Sequence, residues 1–307
     1  MKFGKLPDIS GVDFTLPSNP VANAFLLEGQ RKEEQAFDFY TGCTGWSMPP
    51  WVGRWYPKGT KSKDFLYHYS RQFNTIEFNT THYRIPTPEQ VEKWCAQVPA
   101  DFRFCPKVPQ RISHSRNLGL GTDQLPLFWE ALENFGPFLG ACFMQLPPYF
   151  DSARLGDLER FLIAWPSKFP LAMEMRHESW FLNEDVIDEW SVLFAARGIA
   201  TVITDVAGRR DVLHQRLTST LTMIRFVGNG LHATDYDRIK AWTRQLVEWR
   251  ELGLQTVYFF PHEPDNLLAP DLTEFLVQHL HETTNIKTRG PVPISSGPEG
   301  GEQISLF

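Results

Sequence analysis

Short runs dense in apolar and β-branched residues alternate along this chain with longer segments whose apolar residues recur at helical spacing. The short runs are FYTGC near residue 39, TIEF near 75, FRFCPK near 102, ACFMQL near 141, LAMEM near 171, ATVIT near 200, TMIRFV near 222 and TVYFF near 256. The helical segments are Asp64 to Arg71, Pro88 to Gln97, Asp123 to Phe135, Leu155 to Trp165, Glu184 to Ala196, Tyr236 to Leu252 and Leu267 to Glu282. Alternation of this kind argues for βα units around a parallel sheet, and eight strands suit a closed (β/α)8 TIM barrel better than an open sheet. Between the sixth and seventh strands, residues 207–220 are polar and lack an apolar period, which predicts a loop. Thr87 before Pro88, with Gln90 behind it, reads as a helix start, while Gly198 and Gly253 stand where helices should stop.

This texture fills residues 39–285 and predicts a single domain there. Residues 1–38 read as a flexible N-terminal extension, and residues 286–307, rich in Pro, Gly and Ser, as a flexible, disordered tail. At 307 residues, 42% hydrophobic and 21% charged, the chain can bury a large core. A net charge of -6 gives no general basic footprint, so contact with nucleic acid would need a local patch. The N-terminus lacks an uninterrupted apolar stretch of signal-peptide type, and no run is long enough to span a bilayer, so a cytoplasmic protein without membrane attachment is expected. Cys43, Cys95, Cys105 and Cys142 are widely spaced without CxxC pairs and read as buried thiols.

Charge inside such strands needs a reason, because strand side chains alternate and this architecture binds ligands at the carboxyl ends of its strands. In LAMEMRH, Glu174 and Arg176 share one face; in TIEFN, Glu77 and Asn79 share the face opposite Ile76 and Phe78. Lys107 falls at the end of the third strand, Gln145 at the end of the fourth, Asp205 after the sixth and Arg225 late in the seventh. These groups are expected to form one rim site, the alternative being ion pairs that plug the mouth. Lys107, Arg176 and Arg225 beside carboxylates suit an anionic ligand, phosphate being a plausible anion, with Gln145 as a neutral partner. Glu77, Glu174, Asp205 or the adjacent His177 are the candidates for acid–base work.

Glu77, His82, His114, Glu174, His177, Asp205 and His262 are metal-ligand types near the predicted strand ends, but no HExxH or similarly tight spacing appears and the interleaved cations would oppose a bound metal. A divalent metal is thus weakly supported and no cofactor is expected. Trp46, Trp51, Trp55 and Tyr56 follow the first strand, where they would form a packed loop or stack on a base or sugar, at about 1–3 kcal/mol per stacked base.

The segments GCTGWSMPPWVGRWYPKG, FNTIEFNTTHYRIPTPEQVEKW, DFRFCPKVPQRISH, FMQLPPYF and MEMRHESWF together resemble the YecE-like family, also called domain of unknown function 72. The resemblance implies a TIM-barrel fold without an established activity, and a structural likeness to endonuclease IV-like and xylose-isomerase-like barrels. Its motif positions map onto Gly45, Trp46, Glu77, Tyr83, Lys107, Gln145, Glu174, Arg176, His177, Trp180, Asp205 and Arg225, which adds Trp46 and Tyr83 to the binding candidates. Cys43 departs from the usual Thr or Ser, and His82–Tyr83 from the usual Phe–Tyr.

Three functional readings follow: a phosphoester hydrolase or nuclease-like enzyme on a phosphorylated or nucleic-acid ligand, a non-catalytic nucleic-acid-binding accessory protein, and a sugar-directed hydrolase or isomerase. The last would use Glu77 and Glu174 as a carboxylate pair roughly 5–9 Å apart. Gln303, Ile304, Ser305, Leu306 and Phe307 resemble the peptide by which bacterial replication and repair proteins dock on the sliding clamp, with Gln303, Leu306 and Phe307 as the partner contacts. That partner would link the chain to DNA.

Overall fold

The computed structural model describes residues 4–29 and 37–294. Among these described residues there are eight strands, β1 (Asp38–Thr41), β2 (Thr75–Phe78), β3 (Arg103–Pro106), β4 (Cys142–Gln145), β5 (Leu171–Glu174), β6 (Ala200–Asp205), β7 (Leu221–Val227) and β8 (Thr256–His262). Each falls on a run expected from the sequence. The helices are α1 (Val21–Leu27), α2 (Phe65–Gln72), α3 (Thr80–Tyr83), α4 (Pro88–Cys95), α5 (Gln110–Ser113), α6 (Gln124–Glu133), α7 (Leu155–Ala164), α8 (Glu184–Ala195), α9 (Ala233–Leu252) and α10 (Ala269–Thr283). Residues 207–220 hold only a 3-10 turn at Arg210–Val212, consistent with the lack of periodicity there.

Local chemistry fixes several boundaries. Thr87 and Gln90 form a reciprocal capping box around Pro88 at the start of α4. The Asn183 side chain caps α8 by accepting from the Val186 N–H. Gly253, at φ 127°, takes the left-handed turn that ends α9.

Every strand pairing is parallel, giving a mixed α/β single-domain fold. The strands form a six-stranded sheet in the order β1-β8-β7-β6-β5-β4 and a two-stranded sheet β2-β3. The expected uninterrupted ladder of eight strands is therefore broken at two seams, and each has a physical cause. At β3/β4 the backbone bonds are Gly140 N–H to Phe104 O and Val108 N–H to Phe143 O. Lys107 N–H donates the other way, to Phe78 O, so the alternation of the pleat aims position 106 at β4, and Pro106 has no N–H to give.

At β1/β2 side chains replace the ladder. Asn74 donates to Phe39 O at 2.9 Å and accepts from Thr41 N–H at 2.8 Å. The Tyr69 hydroxyl donates to Thr75 O and accepts from Cys43 N–H, and Glu77 N–H reaches Cys43 O at 3.1 Å. Gly42 permits this approach, since a Cβ there would lie 2.0 Å from Thr75 O.

Apolar clusters between sheets and helices contain Phe128, Phe161 and Trp190 on one side, and Phe226, Trp242 and Phe259 on another. A separate cluster of Cys105, Phe143, Ala172, Val202, Met223, Tyr258 and Phe260 lies on the strand faces turned away from the helices. This inner layer forms an apolar base beneath the polar residues nearer the strand ends.

Residues 4–29 are docked rather than loose. Asn23 bridges Gln215 O and Leu217 N–H, and Phe14 lies against Arg210 and Arg238. Residues 286–294, expected to begin a disordered tail, are also packed: Ile286 is buried, Val292 N–H donates to Gln72, and Ile294 N–H donates to Arg54 O. The clamp-like residues Gln303, Leu306 and Phe307 lie outside the described residues.

Candidate functional site

The inner strand faces carry a polar cluster directly above the apolar base. Glu77 comes from β2, Lys107 from the position after β3, Gln145 from the end of β4, Glu174 and Arg176 from β5 and its continuation, Arg225 from β7 and His262 from β8. All seven are buried. Register explains part of the convergence, since Gln145 pairs with Glu174, and Arg225 with Phe260 of the apolar layer.

Arg225 ties the cluster together. Its Nε and Nη2 donate to the two oxygens of Glu77, each at 3.0 Å, and its Nη1 donates to Glu174 Oε2 at 2.8 Å. Glu77 also receives Asn79 Nδ2 at 2.9 Å and pairs with His262 Nε2 at 2.7 Å. Glu174 receives Arg176 Nε at 2.8 Å and Gln145 Nε2 at 2.6 Å. The Gln145 carbonyl in turn accepts from Lys107 Nζ at 3.0 Å.

Both oxygens of Glu77 and Oε2 of Glu174 thus have two partners each, and Glu174 Oε1 takes the Arg176 Nε donor. Burial alone would raise Glu77, but Arg225 and His262 outweigh it and hold the carboxyl well below the usual range. Glu174 responds likewise to burial against Arg176 and Arg225, and is pulled down to about 2. Both carboxyls are thus pulled toward the charged form, opposite to the raised pKa that a general acid in glycoside cleavage uses.

Lys107 behaves differently. Burial and the neighbouring Arg225 lower it to about 8, with Glu77 and Glu174 offsetting only part of that. Its ammonium stands 5.7 Å from the centre of the Phe143 ring, and the Arg225 guanidinium 5.8 Å from the same ring.

A cleft of about 760 Å³ opens over this cluster at the carboxyl ends of the strands, with Glu77, Asn79, Lys107, Gln145 and His262 on its wall. The N-terminal residues Gly4, Lys5, Leu6, Pro7 and Ile9 line its other side, anchored where Gly208 N–H donates to Gly4 O at 2.8 Å. Tyr83 is 80% exposed at the rim, its ring 5.2 Å from His82, which burial lowers to about 4. Glu263 also lines the cleft, accepting from Gly230 N–H at 2.8 Å; burial raises it to about 7. Gly228 makes room for that carboxyl, since a Cβ there would lie 2.2 Å from Glu263 Oε1.

The structure brings together Glu77, Lys107, Gln145, Glu174, Arg176 and Arg225, with Tyr83 at the cleft's edge. Asp205, expected among them, lies elsewhere. It pairs in register with Phe226, on the face covered by α9, and its carboxylate takes Arg238 Nη2 and Trp242 Nε1, each at 2.8 Å, together with Arg210. Strand phase decides this: Thr204, one residue earlier, is the one that shares the face of Arg225.

His177 does not line the cleft; its Nδ1 caps the 3-10 turn Glu178–Phe181 by accepting from Ser179 N–H. Trp46 stacks on Phe78 at 5.4 Å and meets Trp94 edge-on, and Trp51, Trp55 and Tyr56 are buried beside it, so this aromatic group is a packed loop core. Conversely, His262 and Glu263 emerge as cleft residues. His262 follows Tyr258 and Phe260 in strand phase, a signal present in the sequence; Glu263 depends on the loop after β7 and has none.

Among the described residues, no group of three or more His, Cys, Asp or Glu side chains is arranged to hold a metal ion. No helix among them is long and apolar enough to cross a membrane.

Residues 40–295 match the family described as protein of unknown function DUF72. The chain is 32% identical over 287 residues to UPF0759 protein YecE of Escherichia coli strain K12, spanning 87% of this chain and 99% of that protein. A DUF72 family protein of Enterococcus faecalis V583 superposes with a TM-score of 0.65 at 18% identity, covering 81% of this chain and 99% of that one. One from Thermotoga maritima MSB8 gives 0.62 at 21% identity, covering 80% and 99%. The two structural likenesses concern the fold alone.

Proposed function

The chain belongs to the DUF72 family of proteins of unknown function, and from that premise we propose that its cleft binds a phosphorylated, nucleotide-sized or smaller ligand. One observation carries this reading: three cations, Lys107 on the cleft wall with Arg176 and Arg225 buried in the same cluster, stand against two carboxylates whose oxygens are already engaged. Within the buried cluster the cations outnumber the carboxylates by one, which favours an anion at Lys107. Because the Arg225 donors are committed to Glu77 and Glu174, the direct contact falls to Lys107, with Tyr83 placed at the rim to cover a ring. The cleft's size favours a single nucleotide or smaller phosphoester over duplex nucleic acid.

The eight strands act in this reading as a closed (β/α)8 barrel. The Asn74 and Tyr69 bridges at one seam and the backbone bonds flanking Pro106 at the other support that closure.

Isothermal titration with inorganic phosphate, glycerol 3-phosphate and a nucleoside monophosphate tests the ligand class. Wild-type protein binds at least one, unphosphorylated glycerol does not bind, and Lys107→Met weakens binding by about tenfold or more, the value of one lost charge-assisted contact of about 1.5–3 kcal/mol. Equal affinity in the folded K107M variant, or no phosphorylated ligand bound at all, overturns the reading.

A link to DNA is favoured by one further sequence observation, the terminal string Gln303-Ile304-Ser305-Leu306-Phe307. Its glutamine and Leu-Phe pair suit docking on a bacterial sliding clamp through an apolar anchor on a Pro/Gly-rich tether. Full-length protein binds purified clamp, and a variant lacking residues 303–307 does not; equal behaviour of the two removes the link.

A further inference from the structure

Lys107 is placed for more than attraction. Its backbone is clamped from both sides, since its N–H donates to Phe78 O and its carbonyl accepts from the Thr81 hydroxyl at 2.7 Å. Its side chain crosses the Phe143 ring and ends on the cleft wall, with the Gln145 amide oxygen as its acceptor at 3.0 Å. The nearby carboxylates are not available to it as ion-pair partners: Glu77 is engaged by Arg225, Asn79 and His262, and Glu174 by Arg225, Arg176 and Gln145. Phe143, Val202, Met223 and Phe260 form an apolar layer under the site. A primary amine fixed on the wall of a cleft, above an apolar base and next to cations but lacking a carboxylate of its own, has the surroundings in which lysine serves as a nucleophile.

We propose that Lys107 forms a covalent imine with the carbonyl carbon of an anionic aldehyde or ketone bound in the cleft. This rests on the anion-binding reading above and narrows its ligand to a carbonyl compound. The Nζ lone pair attacks the carbonyl carbon as the C=O π pair moves onto oxygen, and one amine proton transfers to that oxygen to give a carbinolamine. The C–O bond then breaks as C=N forms. The oxygen leaves as water carrying both protons that the nitrogen lost, and the imine takes one proton from solvent. No oxidant or reductant is consumed. The resulting iminium keeps the positive charge of the original ammonium, so the field that attracts the anion survives the step, and it withdraws electrons from the neighbouring carbon–carbon bond.

The reactive form is the free amine, and the groups facing Lys107 set how much of it is present. Arg225 from β7 and Arg176 after β5 disfavour the charged form, Glu77 and Glu174 favour it, and His82 and His114 lie near enough to feel its charge. With burial the balance comes to about 8. Imine formation at Lys107 therefore rises with pH and levels off above about 8, whereas an ordinary lysine continues to gain toward about 10.4.

The test uses full-length protein, glyceraldehyde 3-phosphate as the probe, a borohydride quench and peptide mapping by mass spectrometry, alongside calorimetric binding of glycerol 3-phosphate, which has no carbonyl. Reduced adduct concentrated on Lys107, on the order of tenfold above any other lysine at neutral pH, with the plateau near pH 8, supports the proposal. Adduct spread evenly over the lysines overturns it. Glycerol 3-phosphate bound without any Lys107 adduct overturns the imine and leaves the anion-binding reading intact. Neither bound nor trapped overturns both.

Discussion

Arg225 is a guanidinium shielded from water, and what keeps it there is the pair of carboxylates it joins. Its five N–H donors form a planar fork that a lysine cannot imitate, and the two-oxygen contact with Glu77 uses that shape. Burying the ions is costly, and their mutual contacts offset the loss of solvation only while each partner is present. Arg225→Met should therefore destabilise the protein by about 3–5 kcal/mol in urea unfolding, because Glu77 and Glu174 would be stranded as charges without their shared cation. Adding Glu77→Gln and Glu174→Gln to that variant should recover much of the loss. A change under about 1 kcal/mol in R225M would mean that water already reaches the cluster.

Among the elements, the β1/β2 seam shows how a side chain can substitute for a strand ladder. The Asn74 amide has one donor face and one acceptor face, and it presents them to Phe39 O and Thr41 N–H as an adjacent backbone would. Asn74→Ala removes both buried bonds and should cost on the order of 2–4 kcal/mol, at about 1–2 for each polar group left unpaired. Asn74→Asp keeps the acceptor for Thr41 but turns an oxygen toward Phe39 O, and should be at least as damaging. Hydrogen exchange at the Thr41 amide reads the effect directly, with faster exchange expected in both variants; unchanged protection would show that Tyr69 and Gly42 hold the seam unaided. The N-terminal segment follows a related logic, since Gly4 can sit against Val206 only without a Cβ, at φ 72°.

For the whole molecule, the pairing of β1 with β8 matters most. It joins the first strand to the last, so the inner polar cluster draws its members from strands that are distant in sequence. Glu77 and Arg225 are 148 residues apart, and Glu77 and His262 are 185. Such contacts form only when the sheet is assembled, which makes the cleft a property of the complete fold. The family match begins at residue 40, yet residues 4–7 and Ile9 supply part of the cleft wall. That wall lies outside the matched region of the chain.

Hydrophobic periodicity alone located all eight strands, the seven longer helices to within a few residues, and the poor sixth connection, because each of those features is written in nearest-neighbour patterns. Strand alternation likewise placed Glu77, Lys107, Gln145, Glu174, Arg176 and Arg225 together. It failed at Asp205, where the face reverses one residue after Thr204 and the buried partners Arg238 and Trp242 come from a helix some thirty residues downstream. It also missed that the three cations are unequal: the sequence counts charges, but only the assembled sheet shows that Arg225 is committed to two carboxylates while Lys107 meets an amide oxygen. Residue type fixes the charges and alternation fixes their face. Which charge ends beside which partner, and so which stays available to a ligand, depends on distances between strands far apart in the chain, and tertiary structure alone sets those.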